Sequence, residues 1–172
     1  MMMCKVSWRI LIFPMIILGI DPGTATTGFG IIKTSSKKLA LVGFGCIKTQ
    51  AGEEMPKRLL KLRKELKKII KEFEPKLMVI ERLFFNTNAK TAMTVGQAKG
   101  VVMLVAAETK LPVFEYTALE AKLELTGYGR ADKKEVEKAV KRCLGIRRQI
   151  KSDDAADALA IAICHVKKCL NA

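Results

Sequence analysis

Four carboxylates in three places have the residue types and settings of a site for metal-assisted hydrolysis: Asp21, Glu81, and the pair Asp154 and Asp157. Asp21 closes the apolar run Ile16-Ile17-Leu18-Gly19-Ile20, and Glu81 closes Leu77-Met78-Val79-Ile80. The third place, Ser152-Asp153-Asp154-Ala155-Ala156-Asp157-Ala158-Leu159-Ala160, has the pattern of a helix start. There Asp154 and Asp157, at i and i+3, point to one side, while Asp153 is turned away by about 100° and reads as a solvated first-turn charge. Acids at the ends of buried strands cost free energy unless they are compensated, and divalent cations compensate them through oxygen coordination. Four converging carboxylates match the oxygen-rich coordination of two Mg²⁺ or Mn²⁺. With two ions about 4 Å apart, one activates a water and the other stabilises the leaving oxygen of a phosphodiester. Taken singly, Asp21 also fits a turn before Pro22-Gly23 and Asp154 a helix cap favoured by the dipole. Those readings leave Glu81 unexplained.

The charge balance points to a polyanionic partner. The 172 residues contain 31 Lys plus Arg against 17 Asp plus Glu, a formal net charge of +14. Such an excess favours nucleic acid, or less often an anionic membrane surface, because phosphate contacts release condensed counterions, with plain solubility as the bland alternative. A hydrophobic content of 49% and a charged content of 28% are those of a globular chain rather than a disordered one. Cys4, Cys46, Cys143, Cys164 and Cys169 are odd in number and contain no C-x-x-C pair, so the expectation is free thiols in a reducing cytoplasm. Cys164, His165 and Cys169 lack a fourth partner for a soft metal. The stretch Trp8 to Ile20 is too short for a membrane span, is broken by Pro14 and runs directly into Asp21, so no membrane association is expected. Residues 1–14 read as an extension or a mis-assigned start, and residues 15–172 as one domain.

Elements must hold the acids. Three β-like segments come first, Met15 to Ile20, Phe29 to Lys33 and Leu39 to Lys48, with a Thr-rich turn at Thr24 to Thr27 making a hairpin of the first two. From Glu54 to Phe73, Met55, Leu59, Leu62, Leu66, Ile69 and Phe73 recur at helical spacing opposite a basic stripe of Lys57, Arg58, Lys61, Lys64, Lys68 and Lys71 that reads as a solvated face. Pro75 ends that helix, and the strand delivering Glu81 follows. A second helix is expected from Ala89 to Lys110, with Asn88 as its N-cap. Its Gly96 and Gly100 permit close approach either to another subunit or to the sheet. A fifth strand over Leu111 to Tyr116 and helices over Ala118–Leu125, Asp132–Leu144 and Ser152–Leu170 complete an α/β chain, a mixed five-stranded sheet flanked by helices on both faces.

The runs Ile17-Leu18-Gly19-Ile20-Asp21-Pro22-Gly23-Thr24, Thr27-Gly28-Phe29-Gly30, Val79-Ile80-Glu81-Arg82-Leu83-Phe84, Gly96-Gln97-Ala98-Lys99-Gly100, Pro112-Val113-Phe114-Glu115-Tyr116 and Asp154-Ala155-Ala156-Asp157-Ala158-Leu159-Ala160 resemble, in order, those of RuvC-type Holliday junction resolvases. The resemblance spans Met15 to the C-terminus. It implies a ribonuclease H-like fold and a homodimer that uses two metal ions per site to nick opposing strands of four-way junction DNA in recombination and repair. It also implies a RuvA/RuvB branch-migration complex as partner. The family's acids fall on Asp21, Glu81, Asp154 and Asp157, its base-contacting aromatic on Phe84, and two DNA-contacting lysines on Lys122 and Lys133. A ring beside an acid site can indeed stack on unpaired bases.

Three other functions compete. A non-catalytic junction-binding module of the same fold has no need of all four acids. A ribonuclease H acting on RNA:DNA hybrids shares the chemistry but not the six-motif match. A sugar-kinase-like ATP site would fit Gly19 to Thr24 but requires two lobes.

Overall fold

The computed structural model describes residues 14–35, 38–82, 89–147, 149–150 and 152–171. In chain order these form β1 Met15–Asp21, β2 Thr26–Ser35, β3 Lys38–Lys48, α1 Met55–Phe73, β4 Leu77–Glu81, α2 Ala89–Glu108, β5 Val113–Tyr116, α3 Ala118–Thr126, α4 Lys133–Leu144 and α5 Asp153–Leu170. The sheet order is β3-β2-β1-β4-β5. β1 runs antiparallel to β2 and parallel to β4, and β4 runs parallel to β5, giving the mixed sheet expected from the sequence.

Period-two alternation divides the sheet into two faces. Ile17 on β1 and Leu77 and Val79 on β4 pack into one core with α3, α4 and α5. Leu18, Ile20, Met78 and Ile80 pack into a second core with α1 and α2. Helices therefore cover both faces. On α1 the residues turned inward are Leu62, Leu66 and Ile70, while Lys57, Lys61, Lys64, Lys68 and Lys71 are exposed, as the solvated-face reading requires.

Local chemistry sets the boundaries. α3 and α4 each begin with a capping box, Thr117 with Glu120 and Asp132 with Glu135, and each ends at a left-handed glycine, Gly127 or Gly145. The β1–β2 turn is shorter than expected, because β2 already begins at Thr26. Thr27 is buried, and its hydroxyl donates to the Gly23 carbonyl at 2.6 Å. The fifth strand starts at Val113 rather than Leu111. The Leu111 amide is engaged with the Ala106 carbonyl, and Pro112 has no amide to offer a ladder, although its carbonyl accepts from the Met78 amide at 2.9 Å. α2 ends at Glu108, before Lys110 with its positive φ of 56°. Asn88, the expected cap of α2, lies outside the described residues.

Sheet packing does not account for Gly96 and Gly100. Among the described residues, a Cβ built at either would have no neighbour within 4 Å. Of the two readings of that spacing, packing of these two positions against the described sheet finds no support.

Candidate active site

The parallel register of β1 and β4 aligns Ile20 with Ile80, so Asp21 and Glu81 leave adjacent strand ends side by side. Alternation turns both toward the face covered by α5, because each lies two residues beyond a position on that face, Gly19 in β1 and Val79 in β4. Gly28 is the β2 register partner of Asp21, and Asp154 sits directly over it: a Cβ on Gly28 would come 2.0 Å from the Asp154 backbone oxygen. Gly19 meets Ala158 in the same way. These missing side chains, under the alanine-rich face of α5, let the helix lie against the sheet. Its first turn is thereby brought to the strand ends that carry Asp21 and Glu81.

The four acids are half-buried, and burial and crowding raise three of them, Asp21, Glu81 and Asp157. Burial, then Glu81, Asp157 and Asp154, push Asp21 up to about 8, with Lys133 pulling the other way. Burial and Asp157 push Glu81 up to about 7 against Lys122. Burial likewise raises Asp157, opposed by Lys133 and Lys122. The structure thus brings together all four acids expected from the sequence and sets Lys122 and Lys133 within electrostatic reach of them. Asp153 is turned aside as expected, exposed and paired with Lys133 at 2.7 Å. Phe84 lies outside the described residues.

Among the described residues, no three His, Cys, Asp or Glu side chains form a ready-made cage for one ion. The acids instead make a half-buried cluster whose repulsion Lys122 and Lys133 offset only in part. All-carboxylate donors suit a hard cation, and raised carboxyl pKa values are what such a cation would reverse. The residues therefore fit a hard divalent cation. Beside them opens a cleft of about 230 Å³ whose lining includes Lys133, Lys134, Glu137 and Asp157.

Several supports of the site carry no signal readable in one sequence. Ser152 precedes α5 without capping it. Its Oγ instead lies 2.9 Å from the Cys46 Sγ on β3, the register partner of Gly28. Arg82, next to Glu81, reaches the Glu115 carbonyl, and its amide donates to the Tyr116 carbonyl at 2.7 Å. Tyr116, the β5 partner of Glu81, has its hydroxyl 3.0 Å from Nδ1 of buried His165. The four described cysteines are free thiols, as expected. Among the described residues, no helix is long and apolar enough to cross a membrane.

A mixed five-stranded sheet flanked by helices, with acids at two central strand ends and in the first turn of the last helix, defines a ribonuclease H-like protein. Residues 17–165 match the family model of crossover junction endodeoxyribonuclease RuvC, and the chain belongs to that family. It is 52% identical over 151 residues to the crossover junction endodeoxyribonuclease RuvC of Desulfitobacterium hafniense (strain DSM 10664 / DCB-2), covering 88% of this chain and 92% of the relative. It is 46% identical to that of Moorella thermoacetica over 88% of this chain and 90% of the relative. The solved structure of T. thermophilus RuvC in complex with Holliday junction substrate superposes with a TM-score of 0.86 at 31% identity, over 91% of this chain and 96% of that one.

Proposed function

We propose that this protein is a metal-dependent endodeoxyribonuclease that resolves four-way DNA junctions by paired symmetric nicks. The observation that carries the reading is the meeting of Asp21, Glu81, Asp154 and Asp157 at one edge of the sheet, where burial and mutual repulsion hold Asp21 and Glu81 near neutral pKa. Membership of the RuvC family supplies the substrate, since a relative of the same fold was solved with a Holliday junction.

In this reading the four acids hold Mg²⁺, two ions per site, with Mn²⁺ as a substitute. Bound cations supply the charge that activates water and stabilises the departing oxygen. The chain's own part is positional. β1 and β4 present two carboxylates in register, and α5, seated on Gly19 and Gly28, presents the other two. Lys122 and Lys133 hold the phosphates of the strand to be cut and offset the negative charge of the acids. Phe84 takes the base-contacting role that the family resemblance implies.

The working unit is a homodimer, which gives two opposed cuts. Its support is the outer face of α2, where Gly96 and Gly100 leave the backbone open and Met93, Met103 and Leu104 are exposed. Residues 15–172 constitute the nuclease domain, with residues 1–14 as an extension. A RuvA/RuvB branch-migration complex is the expected partner, and the cytoplasm the expected location.

The test incubates the purified protein and its Asp21→Asn variant with a labelled mobile four-way junction, with Mg²⁺ or EDTA, beside linear duplex and an RNA:DNA hybrid. Symmetric nicks on the junction alone, dependent on both metal and Asp21, are expected. Binding without cutting would reassign the chain as a non-catalytic module, and preferential cutting of the hybrid would make it a ribonuclease H.

A further inference from the structure

The loop between α3 and α4 presents a feature that the four acids and two lysines leave unused. Tyr128 is 59% exposed, and among the described residues it is the only aromatic found among the exposed large apolar side chains. A single exposed apolar residue needs no explanation in general. Tyr128 differs in how its backbone is held and in where it stands.

The loop is held at both ends. Gly127 closes α3 at a φ of 80°, its amide donating to the Leu123 carbonyl at 2.8 Å. The Tyr128 amide donates to the Thr126 hydroxyl at 3.1 Å, and that hydroxyl lies 2.8 Å from the Lys122 carbonyl oxygen. The Tyr128 carbonyl accepts from the amide of Ala131, which is buried in the core. Gly129 leaves room for Leu119, whose Cγ would lie 3.3 Å from any Cβ placed there. A ring on such a backbone meets a ligand with little loop ordering left to be done, which favours binding.

The loop also joins the two lysines that face the acids. Lys122 lies on α3 and acts on Glu81 and Asp157, and Lys133 begins α4 and acts on Asp21. In chain order the loop is the short link between those two lysines, so a strand with phosphates on both would run along it. An exposed aromatic beside a positively charged track is the arrangement that stacks on bases of unpaired DNA.

We infer that Tyr128 stacks on an unpaired nucleobase of the DNA strand held between Lys122 and Lys133, and so is a positioning residue for cleavage. This rests on the junction-cutting reading above. Stacking uses the ring face, so the hydroxyl is dispensable, and the inference singles out the π surface rather than charge or apolar bulk.

The test uses the full chain with four-way junctions carrying the fluorescent base 2-aminopurine at each position flanking the crossover in turn. Emission and affinity are measured in EDTA, and single-turnover cutting in Mg²⁺, for wild type, Tyr128→Phe, Tyr128→Leu and Tyr128→Ala. Wild type and Tyr128→Phe are expected to change the emission at one position alike and to cut alike. Tyr128→Ala and Tyr128→Leu should lose that change and cut about tenfold more slowly or worse, the range expected for losing one base stack. Emission and cutting unchanged in Tyr128→Ala would overturn the inference, as would Tyr128→Phe falling as far as Tyr128→Ala. If wild type shows the ring-dependent emission but cuts no junction, stacking stands and the nuclease reading falls. If wild type cuts and every variant matches it, the nuclease reading stands alone. If wild type neither binds nor cuts, both fall.

Discussion

Gly28 forms the floor on which Asp154 stands. A Cβ on Gly28 would lie 2.0 Å from the Asp154 backbone oxygen and 2.8 Å from the Asp154 Cβ, and a backbone atom cannot swing aside. Gly28→Ala must therefore lift the first turn of α5 from β2 and carry Asp154 and Asp157 away from Asp21. Overpacking of this kind costs about 1–3 kcal/mol, a fall in Tm of roughly 2–12 °C for a chain of this size. Displacement of catalytic groups by about 1 Å can cost on the order of 100-fold in rate. Calorimetry and junction cleavage on the same preparation should show cutting lost well beyond what the folded fraction explains. Full activity at an unchanged Tm would mean that α5 does not rest on Gly28.

Asp21→Asn should abolish cutting while junction binding holds or tightens, because a metal ligand is lost and, wherever Asp21 is ionised, one negative charge near phosphate goes with it. Equal loss of both would make Asp21 a residue of the fold. Its titration adds a second readout. The ordinary value of 3.8 is raised to about 8 in the fold, so between those values the folded, metal-free protein binds more protons than the unfolded chain. Stability from this group is therefore lost as pH rises through that window. The metal-free wild type should lose Tm from about pH 5 to about pH 8 more steeply than Asp21→Asn, and Mg²⁺ should restore more of it in the wild type. Parallel pH profiles for the two proteins would contradict the raised carboxyl.

All ten elements were legible in the sequence, because strand alternation, helix periodicity and Pro or Gly punctuation act over a few residues, whereas the grouping of the acids was expected from their residue types and the six-motif resemblance. Contacts between distant segments were not. Nothing near Ser152 indicates that its hydroxyl faces Cys46 rather than capping α5, since that depends on how the helix crosses β3. Gly28 and Gly30 were visible as a motif, but their reason lies more than a hundred residues away in α5. In the sequence His165 stands with Cys164 and Cys169 as a soft-metal set that lacks a fourth partner. Burial of α5 against β5 makes it a partner of Tyr116 instead. Arg58 belonged by spacing to the solvated face of α1, yet its Nε donates to the Thr49 hydroxyl, which in turn donates to the Thr24 carbonyl beyond Asp21.

At Lys133 and Lys122 the proposed phosphate contact can be measured apart from stability. The Lys133–Asp153 pair is exposed on both sides, so its loss should change stability by less than about 1 kcal/mol. Each lysine that neutralises a phosphate contributes about 0.9 to the salt dependence of duplex binding. Lys133→Ala and Lys122→Ala should each weaken junction binding and flatten the plot of log affinity against log salt by nearly one, at nearly unchanged Tm. Weaker binding with an unchanged slope would place the lysine away from phosphate.

His165 lies buried beneath β5, its ring centroid 4.4 Å from that of Phe114, Nδ1 3.0 Å from the Tyr116 hydroxyl and Nε2 3.8 Å from the Cys169 Sγ. Burial lowers it from the usual 6.5 to about 4, so the folded protein keeps the ring neutral where the unfolded chain would protonate it. Its contribution is complete above about pH 6.5 and is lost as pH falls toward about 4, the reverse of the Asp21 profile. Other carboxylates also protonate in that window. Glu120 is held low through its bonds to Lys168 and Thr117 despite partial burial, so acid loss in the wild type alone would not single out the histidine. The comparison is with His165→Gln, which keeps a polar group but cannot titrate. At about pH 7 the variant should be less stable by about 1–3 kcal/mol, through imperfect replacement of the Tyr116 hydrogen bond and the ring packing. As pH falls through the window the gap should close, because only the wild type loses stability to protonation at this position. A gap that stays constant from about pH 7 to about pH 4 would mean that His165 is as readily protonated in the fold as in the unfolded chain.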